Sequence, residues 1–170
     1  MNAVDVIRRL RSHQLWTNRR LLDVCRPLSA EQLNRPFEIG QGTLMKTIVH
    51  IYAPEFVWCE AIFGNPTPVS PFDIHFDSLA ELEVAWKPLD ERWDQFYAAL
   101  TEADLDRPIT KRSTSSGFNQ MWALPLYDVL LHMFTHAQYT AAQLKNMLRH
   151  LGVSDLPDVM LITQSRESTA

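Results

Sequence analysis

Histidine is the residue type here best suited to chemistry, because imidazole is both the commonest neutral ligand of transition metals and a proton carrier near neutral pH. His132 and His136 stand four apart in a segment of helical pattern. That spacing puts both rings on one helix face, a turn apart, as in helical zinc motifs. Two structural histidines would show the same pattern. His50 adds a third imidazole from a separate apolar segment, where an unpartnered polar group is costly. Pro54 lies four residues further on and has no N–H to donate to the His50 carbonyl. The kink expected there suits a ligand site and simple packing equally.

The other reactive types point elsewhere. Cys25 and Cys59 sit in apolar stripes and form no C-x-x-C pair, so they read as buried free thiols of a reducing cytoplasm. Core filling is the expected role of both. Trp16, Trp58, Trp86, Trp93 and Trp122 read mostly as core, with a pocket mouth as the alternative for Trp16 and Trp58. The sequence has 5 glycines against 10 prolines and no glycine-rich phosphate motif. Its net charge is −4, which argues against a nucleic-acid partner. The basic run Arg8, Arg9, Arg11, Arg19 and Arg20 reads as a solvated helix face. Neither a signal-peptide pattern nor an apolar run long enough to span a bilayer is present, so the expectation is a cytoplasmic protein with no membrane partner.

Four long helical patterns must position the histidines. The first runs from Ala3 to Leu28, with Gln14 and Asn18 on its apolar stripe, an unusual choice for a purely structural face. Pro27 ends it, and the capping box beginning at Ser29 starts a short further turn. The second runs from Thr43 to Phe63, stops at Gly64, and is apolar around its circumference, so it should be buried. A proline-containing loop leads to the third, from Asp77 or Ser78 as cap to Leu100, with Pro88 inside it. Residues Thr101 to Phe118 read as a long loop, in which Ile109 to Thr114 suits a short strand or hairpin before Gly117. The fourth runs from Pro125, as its first residue, to Leu151 and Gly152. It carries a polar line of His132, His136, Thr140 and Gln143. A closing segment is expected over Pro157–Gln164, and residues 166–170 should fray. The fold class is all-α: one four-helix-bundle domain over residues 1–165, with long loops between the second and third and the third and fourth helices.

Several segments together resemble the DinB/YfiT-like proteins. Trp16-Thr-Asn18 with Leu21-Leu22 is similar to that family's first-helix signature. Thr43-Leu-Met-Lys-Thr-Ile-Val-His50, followed by Glu55, Trp58 and Gly64, resembles its second. Leu130-Leu-His-Met-Phe-Thr-His136, then Tyr139, Gln143 and Met147-Leu-Arg-His-Leu-Gly152, resembles its ligand-bearing helix. The resemblance implies a bundle, often a homodimer, with a divalent metal such as Zn or Ni held by three histidines. His50 and His136 match two of them. The third falls at position 140, where this chain has Thr140, followed by Ala141 and Ala142 rather than the family's Arg and Gly.

Three readings of the site follow. His132 takes the vacant place one turn earlier; or His50 and His136 form a two-ligand site completed by water, Glu55 or a substrate; or the metal is lost and the pocket binds a small molecule or nothing. The resemblance implies either a thiol-dependent transferase or metal-dependent hydrolase, or a non-catalytic, dimeric small-molecule-binding or stress-associated module. In the enzyme reading a low-molecular-weight thiol is a co-substrate, Glu55 or Gln143 supports the ligands, and Tyr139 is a proton donor.

Overall fold

The structure is a computed structural model and describes residues 1–113 and 119–169. Asn2 opens α1 (Ala3–Cys25). Its side chain accepts the Asp5 amide at 2.9 Å, and the Asp5 carboxylate accepts the Asn2 amide at 3.1 Å, satisfying two donors that a helix start leaves over. The ladder closes with the Arg26 amide on the Leu22 carbonyl, because Pro27 has no N–H to continue it. The helix therefore stops short of the expected Leu28. Ser29 caps the short α2 (Ala30–Asn34) through the expected capping box.

Thr43 caps α3 (Leu44–Ile62) by accepting the Lys46 amide at 3.1 Å. Gly64, at φ +98°, supplies the left-handed residue that stops it. Ser78 caps α4 (Leu79–Ala99) in the same way. Pro54 and Pro88 lie inside α3 and α4, each removing one rung of the ladder.

The expected strand is present as β1 (Pro108–Arg112), paired antiparallel with β2 (Met121–Pro125). β2 had no counterpart in the sequence reading, and Thr114 and Gly117 lie outside the described residues. The strand runs directly into α5 (Leu126–His150), so Pro125 precedes the helix instead of opening it. Beyond Gly152, α6 (Leu161–Glu167) passes the expected end of order at residue 165. The Glu167 carboxylate accepts Arg20 at 3.1 Å and Trp16 Nε1 at 3.2 Å. Those contacts tie Glu167 to α1.

α5 packs against α1 and α3, α3 also packs on α4, and the hairpin lies across α3 and α5. The interior is filled by side chains such as Leu21, Ile48, Leu82, Trp93, Leu130, Leu144 and Leu148, all essentially buried. α3 is buried almost throughout, as its all-round apolar pattern requires. Cys25 and Cys59 are fully buried free thiols. Burial pushes them up to about 12 and about 11, respectively, so both remain protonated and act as small apolar side chains.

Candidate functional site

His50 projects from the middle of α3 and His136 from α5, and the two Nε2 atoms meet at 3.1 Å. The rings are edge to face, 4.6 Å between centroids. Burial holds His50 below the ordinary imidazole value; burial, with His50 and His132 adding to it, brings His136 down to about 4. At neutral pH the pair is therefore uncharged, one ring donating its N–H to the other's lone pair. His132, one turn back on α5, is exposed. Its ring stands 5.8 Å from that of His136 and 6.5 Å from Trp58.

These rings border a cleft of about 330 Å³ whose other walls come from three directions. α3 contributes Pro54, Val57 and Trp58. The loop after α3 contributes Ser70 and Phe72, with Phe72 5.2 Å from His50. The hairpin contributes Lys111, Trp122 and Leu124. Lys111 lies directly opposite Trp122 in the strand register, and Ile109 opposite Leu124. Residues paired in this way share one face of the sheet. Ile109 and Lys111 are buried on that face. Lys111 Nζ stands 4.8 Å from the Trp58 ring centroid and donates to the Arg112 carbonyl at 2.9 Å. Burial lowers its pKa.

The sequence profile of the DinB superfamily matches residues 14–144. The chain belongs to the DinB superfamily. No curated protein matches it. As a DinB-superfamily bundle, the chain has the helical architecture its sequence suggests, with the β1–β2 hairpin added.

The metal implied by the family resemblance is poorly matched by the donors present in this DinB chain. Thr140 occupies the third ligand position. It is fully buried, and its hydroxyl has no hydrogen-bond partner among the described residues. A neutral hydroxyl is a weak zinc or nickel ligand. His50 Nδ1 is also buried without a partner among the described residues, whereas a metal-bound imidazole ordinarily donates its second nitrogen to an acceptor. Among the described residues, no three histidine, cysteine, aspartate or glutamate side chains gather closely enough to hold a metal ion. Among the described residues, the donor set fits no three-ligand site.

Glu55 is not in the cleft. Five residues beyond His50, it points about 140° around α3, away from the imidazoles, and is 1% exposed. Its Oε1 accepts Gln14 at 2.8 Å and Asn18 at 3.2 Å; its Oε2 accepts Arg11 at 3.2 Å and Trp86 at 3.3 Å. Arg11 reaches on to Asp90 at 2.6 Å. This network explains the polar Gln14 and Asn18 on the apolar stripe of α1. It also corrects the reading of the arginine run as a solvated face, since Arg11 is 3% exposed. Of its neighbours, Arg8 donates to the Tyr97, Ala98 and Leu100 carbonyls at the end of α4.

Tyr139 is well exposed and Gln143 packs against the turn at Gly40, so neither lines the cleft. A Cβ at Gly40 would come within 2.6 Å of Gln143 Oε1. Trp58 lines the cleft, the alternative to a purely core role, while Trp16 sits elsewhere beneath Arg20. The cleft-lining residues that the sequence reading did not place there include Lys111, Phe72 and Trp122. The alternation Ile109-x-Lys111 and Trp122-x-Leu124 is the signal that marks the two on the hairpin.

The imidazole pair carries a pH prediction. In the unfolded chain His136 takes up a proton near its ordinary 6.5, but in the folded chain only at about 4. Its contribution to stability is thus intact above 6.5, falls as the pH drops from 6.5 to about 4, and then levels off. Allowing for screening of a partly solvated ring, the loss should reach about 1–2 kcal/mol. Glu55, which burial raises despite Arg11, works in the opposite sense on the acid side. The check is therefore the difference between wild type and His136→Gln in urea unfolding at pH 7.5, 5.5 and 4.5. The gap should narrow with acid; parallel curves would contradict the assignment.

Proposed function

We propose that this DinB-superfamily protein is a small-molecule-binding module whose occupied site is the cleft beside His50, His132 and His136, and that it works without a tightly held metal. The observation that carries this reading is the direct 3.1 Å contact between His50 Nε2 and His136 Nε2 on the wall of an aromatic cleft, with Thr140 buried where a third imidazole would be needed. A cleft of about 330 Å³ is within the usual range for small ligands. The neutral imidazole pair offers a ligand polar contacts without a fixed charge. Trp58, Phe72 and Trp122 offer flat apolar area.

The same contact favours one alternative. Two imidazoles on one zinc ion at ~2.0–2.1 Å would place their nitrogens about 3.3 Å apart, close to the separation seen. In that second reading the pair holds Zn or Ni weakly, with solvent in the remaining positions.

Thermal unfolding of untagged protein separates the two. A metal at a hundred times its Kd adds about 2.7 kcal/mol to the folded state, worth about 5–10 °C in a chain of this size. Under the metal-free reading the midpoint stays within about 1–2 °C with chelator or with micromolar Zn or Ni. A rise of several degrees that disappears in His50→Ala and His136→Ala would establish the two-histidine metal site instead.

A further inference from the structure

The histidine cleft has a neighbour. Phe72 lines it and also lines a second cleft of about 320 Å³. The apolar walls of the second are Met45, Val49, Ile74 and Phe76. Both clefts rest on α3: Met45 and Val49 line the second, Ala53 and Val57 the first. These four residues follow one another at intervals of four, which makes them a single ridge along the helix. At roughly 1.5 Å per residue the ridge is about 18 Å long. It is aliphatic from end to end.

Phe72 stands at the boundary. The Ser70 hydroxyl accepts the Phe72 amide at 3.3 Å and opens a 3-10 turn (Pro71–Asp73) that packs on α3. The backbone is held there, but the ring is 48% exposed, and an exposed side chain changes rotamer within picoseconds to nanoseconds. The ring stands 5.2 Å from that of His50, the residue after Val49. Turned outward, it would join the two clefts over one floor. A compact ligand fills one cleft and covers half of the ridge. A long, thin molecule covers all of it, and an aliphatic ridge matches methylene groups, whose burial is favourable in proportion to the area removed from water.

We propose that the two clefts form one groove divided by Phe72, and that it takes a straight-chain molecule, its hydrogen-bonding head at the imidazoles and its alkyl chain running past Phe72 over Val49 and Met45. This rests on the reading of the histidine cleft as a small-molecule site and adds the chemical class of the occupant. Phe72 is then the residue that sets the accepted chain length.

The test uses two probes that share one head group, hexanol and decanol. Each is titrated into the full chain by calorimetry, with side-chain methyl signals followed by NMR. Hexanol should move Val57 and Leu124 alone. Decanol should bind one per chain and move those two together with Met45, Val49 and Ile74, while buried Leu82 stays. The four further methylenes should tighten binding about ten- to two-hundred-fold, at about two- to four-fold for each one buried. Phe72→Ala should widen the gap between the two alcohols.

Decanol that moves only one of the two sets, or binds no more tightly than hexanol, would overturn the joined groove and leave the histidine cleft standing. Two decanol molecules per chain would show two separate sites and overturn it equally. Both outcomes are read on the wild type and need no variant to fold. Equal weakening of both alcohols in folded Phe72→Ala would make Phe72 a wall and overturn its role as divider. If neither alcohol moves Val57 or Leu124, the cleft reading itself fails, and the inference falls with it.

Discussion

Glu55→Ala should cost about 3–5 kcal/mol of folding stability, the range for breaking a buried ion pair by removing one partner. The Glu55 carboxylate accepts from Arg11, Gln14, Asn18 and Trp86 in the interior, and all of those donors would lose their acceptor at once. Arg11 makes the loss severe. Burial opposes its charge, but Glu55, and then Asp90, more than offset this, so its pKa stays raised and it is charged at any accessible pH. With Glu55 gone, Asp90 remains, its side chain 36% exposed, and the guanidinium is left under-compensated. Urea unfolding at pH 7 reads the effect from the shift in midpoint.

Two further variants show which term dominates. Glu55→Gln keeps the volume and one acceptor oxygen but turns an N–H group toward existing donors, so its cost should be intermediate. Arg11→Met combined with Glu55→Leu removes both charges and should recover part of the loss, because an apolar pair of similar volume avoids desolvation. A cost below about 1 kcal/mol for Glu55→Ala would mean that water reaches the network and replaces the lost acceptor.

Trp93→Ala should also cost about 3–5 kcal/mol, for a different reason. Trp93 is fully buried on α4. Its ring stacks on Tyr97 at 5.4 Å and meets Phe96 edge to face at 5.4 Å, and Tyr97 continues the stack to Phe134 of α5 at 6.4 Å. The aromatic column thus ties α4 to the helix that carries His136. Removing the indole would leave a cavity too large for neighbouring side chains to close. Its Nε1 has no hydrogen-bond partner among the described residues, so the residue contributes volume and not polarity. Trp93→Phe should consequently lose no more than about 1.5 kcal/mol, since it gives up volume but also removes an unsatisfied donor. Midpoints from urea unfolding of the two variants check this; equal losses would indicate that the indole N–H is bonded after all.

The network around Glu55 and the histidine cleft lie on different sides of α3, and that separation shapes both readings. Nearness in sequence suggested that Glu55 could serve a metal at His50. A helix turns about 100° per residue, so a spacing of five faces away, whereas a spacing of four would not. The same periodicity predicted correctly that His132 and His136 share a face. It could not say which of them would reach His50, because that depends on how far α5 is shifted along α3. The shift puts His136 at hydrogen-bond distance from His50 and leaves His132 beside Trp58.

The sequence by itself determined the four long helices and several of their ends. Thr43 and Ser78 cap their helices, Pro27 and Gly64 stop theirs, and the burial of α3 follows from apolar residues around its whole circumference. These are local effects, fixed by backbone sterics, missing N–H groups and periodicity, and they hold whatever the rest of the chain does. The gap at Thr140 came from the family resemblance instead, which implies a third histidine at that position. Only the tertiary structure decided what the polar residues do. Gln14, Asn18 and Arg11 find their acceptor 37 to 44 residues away in sequence, and Lys111 reaches the cleft because a two-stranded hairpin folds back over α3 and α5. A polar side chain in a helix or strand has many partners it could satisfy. Which one it meets is set by the packing of elements distant in sequence, where buried charge must be matched or excluded.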